Sequence, residues 1–119
     1  MKVLITGSQG FIGSYICQEL LKNNYEVVGV DNYSKYGYLV RPQDSHPNFK
    51  IYNENVISDH YFQIVRSEKP DIIIGLAAMI GGIAYFHKYA YDLLAENERI
   101  MAHTFDSAIQ SFKEGDAKR

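Results

Sequence analysis

Three glycines near the amino terminus follow one another at intervals of three residues, at Gly7, Gly10 and Gly13. Glycine turns tightly at low conformational cost, and Gly10 has no side chain to keep a phosphate away from the backbone. The amides of Phe11 and Ile12, at the start of the helix expected next, could then point at phosphate oxygens, with the helix dipole adding attraction. The spacing therefore predicts a loop that holds the pyrophosphate of a dinucleotide.

A carboxylate follows at Asp31, 18 residues beyond Gly13 and at the end of the apolar run 26–30. A carboxylate at this distance can accept hydrogen bonds from the ribose of adenosine, and it would repel a phosphate on that ribose. We therefore expect NAD as the cofactor rather than NADP. Lys35, four residues later, leaves NADP open as the alternative.

The elements that must position these groups alternate along the chain. Ile12, Ile16 and Leu20 recur every four residues and predict the core-facing stripe of the first helix. Alternating strands and helices imply a parallel α/β sheet wound through right-handed crossovers. We expect strands near 2–6, 26–30, 49–52 and 71–76, and helices near 10–23, 58–68 and 89–113.

The spacing G-x-x-G-x-x-G, followed by Asp31-Asn32, resembles the extended short-chain dehydrogenases, in particular the NAD-dependent nucleotide-sugar epimerases and dehydratases. The resemblance runs through all 119 residues and implies a Rossmann-type doubly wound parallel sheet. It also implies that the chain stops after the fourth strand and a following long helix. Residues 1–119 are then expected to be the amino-terminal part of the dinucleotide-binding domain, with the catalytic and sugar-binding part beyond residue 119.

The resemblance assigns cofactor positions on two further strands. Ala77 and Ala78 match a pair of small residues that lies beside the cofactor, although tight core packing would also explain them. Asn55 stands where the family has an aspartate that holds the adenine amino group, and an amide oxygen can accept the same hydrogen bond. The expected cofactor-binding residues are Gly7, Gly10, Phe11, Ile12, Gly13, Asp31, Asn32, Asn55, Val56, Leu76, Ala77 and Ala78.

The segment 77–83 narrows the family resemblance to one group of members. It is similar to a stretch of GDP-sugar members of the family, the GDP-fucose synthases and GDP-mannose epimerases, in which a glycine loop borders the sugar. Gly81 and Gly82 are therefore expected to bind substrate, and an ordinary strand-to-helix connection is an equal alternative. Gly75, where many members have histidine, departs from the family pattern.

The catalytic pair of the family, Tyr-x-x-x-Lys, is absent, because none of the ten tyrosines has lysine four positions later. We therefore expect no catalytic residue in this chain. Two functions remain open at this point. One is the NAD(P)-binding portion of a longer nucleotide-sugar epimerase, dehydratase or reductase, and the other is a noncatalytic NAD-binding module for sensing or assembly.

Composition excludes several other classes of protein. A net charge of −2 and a pI of about 6.0 predict no nucleic-acid partner and no anionic membrane surface. No apolar run is long enough for a signal peptide or a membrane span, so we expect a cytoplasmic protein. Cys17 is the only cysteine and is expected to be a small buried hydrophobe, and the four scattered histidines predict no metal site.

The long loop 32–48 and the last helix, 89–113, are predicted to form contact surfaces. The tyrosines of the long loop 32–48, at positions 33, 36 and 38, could line the adenosine or sugar site or pack on the surface. The helix 89–113 carries an apolar stripe, of which one part must cover the sheet, and the resemblance implies that the same helix forms a homodimer. The stripe comprises Ala90, Leu93, Leu94, Asn97, Met101, Thr104, Phe105, Ala108 and Phe112.

Overall fold

The structure is a computed structural model that describes residues 1–34, 37–78 and 83–113, with side chains outside 83–89 and 112. Within these residues the chain forms four strands and three α-helices, and a short 3-10 helix interrupts the long loop at Pro42–Ser45. In chain order they are β1 (Lys2–Thr6), α1 (Phe11–Lys22), β2 (Glu26–Asp31), β3 (Phe49–Asn53), α2 (Asp59–Glu68), β4 (Ile72–Gly75) and α3 (Ile83–Lys113).

All the strands pair in parallel, in the order β3-β2-β1-β4. The chain therefore winds outward from β1 in one direction to β3 and then reverses to place β4 on the other side of β1. In such sheets ligands bind in the crevice at the carboxyl ends of the strands, where the order reverses. The predicted doubly wound, Rossmann-type sheet is confirmed.

The two faces of the sheet bury different helices, because successive side chains of a strand point to opposite sides. Val3, Ile5 and Val27 pack with the apolar side of α1. Leu4 and Val28 face the other way and pack with α2, Val56 and Ile100 of α3. Helices on both faces explain why β1 and β2 are apolar runs rather than alternating polar and apolar residues.

The predicted core stripe of α1 is wrong at its first member. Ile12 is 62% exposed, whereas Gly13, Cys17 and Leu21 are buried along the side that faces the sheet. The helix is turned by one residue relative to the prediction because Gly13 packs against the turn after β1. A Cβ built on Gly13 would lie only 2.1 Å from the carbonyl oxygen of Gly7, which leaves room for glycine alone.

Helix α3 begins at Ile83, six residues before the predicted start, since no glycine or proline interrupts the sequence from 83 to 113. The predicted apolar stripe of α3 also corresponds only in part to its buried side. Leu93 and Ser107 are buried, while Leu94, Met101 and Phe105 of the predicted stripe are each 61% exposed.

A small polar residue, Ser107, lies where α3 packs closest to α2. The Ser107 hydroxyl lies 3.0 Å from the hydroxyl of Tyr61, which is completely buried, and 2.8 Å from the carbonyl of Thr104. This contact keeps the tyrosine hydroxyl hydrogen-bonded in the core. The inward side of α3 therefore carries a polar residue at this point, besides the apolar Leu93 and Ile100.

A buried carboxylate ties the carboxyl end of α2 to the sheet. Glu68 is 7% exposed and accepts hydrogen bonds from the Tyr52 hydroxyl, from Lys50 Nζ at 2.9 Å and from Lys2 Nζ at 3.2 Å. Burial alone would raise the pKa of Glu68, but the three hydrogen bonds outweigh it and hold that pKa below its ordinary value of 4.5. The carboxylate is therefore stabilised in its charged form.

Candidate functional site

A cleft of about 570 Å³ opens at the carboxyl ends of β1, β2 and β4. The twelve residues predicted to bind a cofactor all line it, although they come from four separate parts of the sequence. Six further lining residues were not among the predicted ones: Val30, Ser34, Glu54, Ile57, Glu96 and Ile100. The cleft therefore coincides with the crevice that this strand order creates.

The floor of the cleft is the turn after β1. Gly7 has a φ of +76°, and a Cβ on it would lie 2.9 Å from the backbone of Leu76 and Ala77. The Thr6 side chain crosses the same gap, since its Oγ1 accepts hydrogen bonds from the amides of both residues at 3.2 Å. These contacts hold the ends of β1 and β4 together and fix the small residues beside the loop.

The start of α1 forms one wall. Gly10 is the N-cap residue, in an extended conformation, and its carbonyl accepts from the Ser14 amide at 2.9 Å. The amides of Phe11 and Ile12 lie in the first turn of the helix, where an α-helix supplies no carbonyl partner of its own. A Cβ on Gly10 would have only the Gly7 carbonyl oxygen within 4 Å, at 3.3 Å, so the open side of Gly10 faces the cleft. This arrangement can hold an anion.

Asp31 lies at the end of β2 in a fixed orientation. Its Oδ2 accepts from the Gln9 amide at 3.0 Å and its Oδ1 from the Tyr33 amide at 2.7 Å. Each carboxylate oxygen has a second lone pair, so both remain able to accept a hydroxyl from a ligand. The carboxylate is thus held in place by the backbone and directed into the cleft.

Asn55 and Val56 form the opposite wall. The Asn55 Oδ1 accepts from the Ile57 amide at 2.9 Å, which leaves its second lone pair able to accept from a ligand amino group. Val56 is 4% exposed and offers an apolar surface from the core. A polar group beside an apolar surface suits a flat heteroaromatic ring.

The missed residues on α3 gave no signal in the sequence. Glu96 was expected outside the apolar stripe, but the turn of α3 brings Glu96 and Ile100 over the cleft. The cleft therefore carries three carboxylates, those of Asp31, Glu54 and Glu96, and the described residues that line it include no lysine or arginine. Among these described residues, the backbone amides at the start of α1 and the helix dipole are the groups that can attract a phosphate.

Tyr33 and Tyr38, which could have lined the adenosine or sugar site, do not line the cleft. The rings of Tyr33 and Tyr38 pack on each other with centroids 5.0 Å apart, and Tyr38 is 77% exposed, so these two correspond to the surface alternative. Burial, and next the Asp44 carboxyl, raise the pKa of Tyr33, so its hydroxyl stays protonated at neutral pH. The predicted substrate residues Gly81 and Gly82, and also Lys35 and Tyr36, lie outside the described residues.

Two expectations concern sites elsewhere in the chain. Cys17 is buried as predicted, and burial, followed by the charge of Asp44, raises the pKa of its thiol to about 12. Within 1–34, 37–78 and 83–113, no three His, Cys, Asp or Glu side chains come together as metal ligands. None of the helices in the described part of the chain is long and apolar enough to cross a membrane.

Comparison with known proteins gives a family and several relatives. Residues 3–113 match the model of the NAD dependent epimerase/dehydratase family. The chain is 29% identical over 123 aligned residues to an uncharacterized UDP-glucose epimerase of Bacillus subtilis, covering 94% of this chain and 38% of that protein. It is 35% identical to protein CapI of Staphylococcus aureus over 68% of this chain and 26% of that protein.

Solved structures agree with these relatives. A UDP-glucose 4-epimerase of Thermotoga maritima, crystallised with UDP-glucose, superposes with a TM-score of 0.76 at 26% identity, over 93% of this chain and 35% of that one. The enzyme WbmH of Bordetella bronchiseptica, crystallised with NAD+, gives a TM-score of 0.73 at 27% identity, over 92% and 35%. The chain thus spans between a quarter and two fifths of the length of these four proteins. By its match over residues 3–113, the chain belongs to the NAD dependent epimerase/dehydratase family.

Proposed function

We propose that the cleft binds NAD in an extended conformation. The ribose of adenosine hydrogen-bonds to Asp31, the adenine lies by Asn55, and the pyrophosphate lies over Gly10 at the start of α1. The nicotinamide half then runs towards Ala77 and Ala78. The observation that carries this proposal is the meeting of the twelve predicted residues in one cleft, whose volume lies within the range of roughly 300–1,000 Å³ usual for ligand sites.

Asp31 favours NAD over NADP. Both of its oxygens are held by backbone amides, so the carboxylate cannot turn aside to admit a second anion without losing those hydrogen bonds. Glu54 and Glu96 add negative charge to the same cleft. A 2′-phosphate would therefore meet repulsion and no described cation, whereas a 2′-hydroxyl can donate to Asp31.

For the whole protein we propose interconversion of a nucleotide sugar through transient hydride transfer, in which NAD supplies the hydride acceptor. This rests on the family and on relatives named for UDP-glucose epimerisation. The sugar would be held partly by Gly81 and Gly82, and the comparison of that segment with GDP-sugar enzymes remains a prediction. We also propose a cytoplasmic location, because NAD is a cytoplasmic metabolite.

We further propose that α3 forms a homodimer. Leu94, Met101, Phe105 and Ile109 are each at least half exposed and follow one side of the helix at intervals of seven, four and four residues. These exposed apolar side chains on one side of α3 favour a partner surface, and a second copy of the same helix supplies one of matching character.

The function is tested by two measurements on the complete polypeptide that the gene encodes. Calorimetric titration is expected to show NAD binding, and NAD with UDP-glucose or GDP-mannose is expected to give the epimer or a dehydrated product, resolved by chromatography. Gly10→Val places a larger side chain where the pyrophosphate would lie and is expected to abolish both signals with the fold intact. Undetectable NAD binding by the unchanged protein would contradict the proposal.

A further inference from the structure

A buried polar network lies behind the phosphate loop, away from the ligand side. Its centre is Gln43, which lies in the 3-10 helix Pro42–Ser45 of the long loop between β2 and β3. Gln43 is only 2% exposed. Glutamine is seldom so deeply buried unless its amide is fully hydrogen-bonded. Gln43 does not line the cleft.

The amide of Gln43 uses its donors and its acceptor on the loop and on α1. Its Nε2 donates to the Ser8 carbonyl at 3.2 Å and to Gln9 Oε1 at 3.0 Å. Its Oε1 accepts from the Ser14 hydroxyl at 2.9 Å. The two sides of the turn between β1 and α1 are thus joined through one side chain.

Gln9, the residue before Gly10, is hydrogen-bonded through its backbone amide, its side chain and its carbonyl. Its amide donates to Asp31 at 3.0 Å, and its Nε2 donates to Asp44 Oδ1 at 2.9 Å. Its carbonyl accepts from Arg41 Nε at 3.0 Å. The segment 41–44 therefore fixes both the backbone and the side chain of the loop residue that leads into the anion site.

The sheet restrains the loop from below. Ser8 is completely buried, and a Cβ on Gly29 of β2 would lie 2.4 Å from the Ser8 Oγ. Ser8 can therefore lie this deep only because position 29 is glycine. The sheet and the 3-10 helix therefore both restrain the loop.

We propose that Gln43 is a positioning residue for cofactor binding, which holds Ser8 and Gln9 so that the amides after Gly10 face the pyrophosphate before the ligand arrives. This rests on the proposed function of the cleft. A loop that is already ordered loses less conformational freedom on binding, so affinity rises without any contact between Gln43 and the ligand. The effect belongs to the phosphate end of the ligand.

The test replaces Gln43 by methionine, which keeps the length of the side chain and removes its hydrogen bonds. In the complete polypeptide, Gln43→Met is expected to raise the Kd of NAD and of ADP-ribose about tenfold. Adenosine has no phosphate, and its Kd is expected to change about twofold at most. Gln110→Met, at an exposed position on α3, is the matched control and is expected to leave all three Kd values unchanged.

Ser14→Ala provides a second variant in case Gln43→Met does not fold. It removes the donor to Gln43 Oε1 and is expected to weaken NAD about threefold, again more than adenosine. Folded variants that bind NAD as the unchanged protein does, or that lose NAD and adenosine equally, would overturn the inference. Absence of NAD binding in the unchanged protein would overturn the proposed function, and this inference with it.

Discussion

Gly10 and Gly13 belong to the same motif, but in the structure Gly13 is needed for packing and Gly10 borders the cleft. Alanine substitutions can separate these two roles. A Cβ on Gly13 would lie 2.1 Å from the Gly7 carbonyl oxygen and 2.9 Å from its carbonyl carbon, whereas ordinary contact begins at 3.4 Å. The Cβ on Gly10 would meet one atom, at 3.3 Å. Gly13→Ala is therefore expected to reduce stability, and Gly10→Ala to reduce affinity.

The size of the effect at Gly13 follows from what must move. The helix and the turn after β1 have to separate by about 1 Å, and both contacting groups are backbone, so the cost falls at the upper end of overpacking, about 3 kcal/mol. The higher helix propensity of alanine offsets about 1 kcal/mol of this cost. The net loss in the free energy of unfolding is then about 2 kcal/mol, which lowers Tm by roughly 8 °C in a domain of this size.

Gly10→Ala needs a movement of only a few tenths of an ångström, so its free energy of unfolding is expected to change by about 0.5 kcal/mol or less. Because Gly10 lines the cleft, the added methyl group is expected to weaken NAD binding about tenfold or more. Urea unfolding followed by circular dichroism measures stability, and calorimetry measures the Kd. A Gly13→Ala variant as stable as the unchanged protein, or a Gly10→Ala variant that loses as much stability as Gly13→Ala, would refute these separate roles.

Four further predictions concern separate parts of the molecule. Asp31→Ala is expected to reduce the preference for NAD over NADP in calorimetric titrations, and equal or tighter binding of NADP by the unchanged protein would refute the role of this carboxylate. Because folding lowers the pKa of Glu68 from 4.5, the charged carboxylate stabilises the fold fully above pH 4.5, and this contribution is lost as the pH falls through the folded-state pKa. Glu68→Gln should therefore make the free energy of unfolding, measured with urea, less dependent on pH in the acid range. An unchanged pH dependence would contradict the role given to Glu68. Cys17, whose pKa burial raises to about 12, should react with a chromogenic disulfide reagent only in denaturant, and rapid reaction of the native protein would show the burial to be wrong. Met101→Glu with Phe105→Glu should turn a dimer into a monomer in sedimentation, whereas an unchanged sedimentation coefficient would exclude α3 as the dimer surface.

Much of the fold could be predicted because local signals and the sheet agree. The apolar runs at β1, β2 and β4 have the composition of strands covered on both faces, and the glycine motif marks the start of α1. Strand order then follows from the family resemblance, and it brings the carboxyl ends of β1, β2 and β4 together. This explains why residues as distant in sequence as Gly7, Asp31 and Ala77 line the same cleft; that they bind a cofactor stays a prediction.

The remaining features depend on contacts between elements that no local pattern records. The period of α1 is compatible with more than one rotation, and the contact of Gly13 with the turn selects the one that exposes Ile12. Helix α3 packs close to β4 at Gly75, where a Cβ would lie 2.9 Å from the Thr104 methyl group. Gln43 lies in an irregular loop, so its burial could not be read from any periodicity.

The central claim is that this cleft holds NAD with its pyrophosphate at the start of α1, and a crystal structure of the complete polypeptide with NAD tests it most directly. We expect pyrophosphate oxygens within hydrogen-bonding distance of the amides of Phe11 and Ile12, and ribose hydroxyls at the Asp31 carboxylate. A cofactor bound elsewhere, or one whose pyrophosphate lies away from Gly10, would contradict the account.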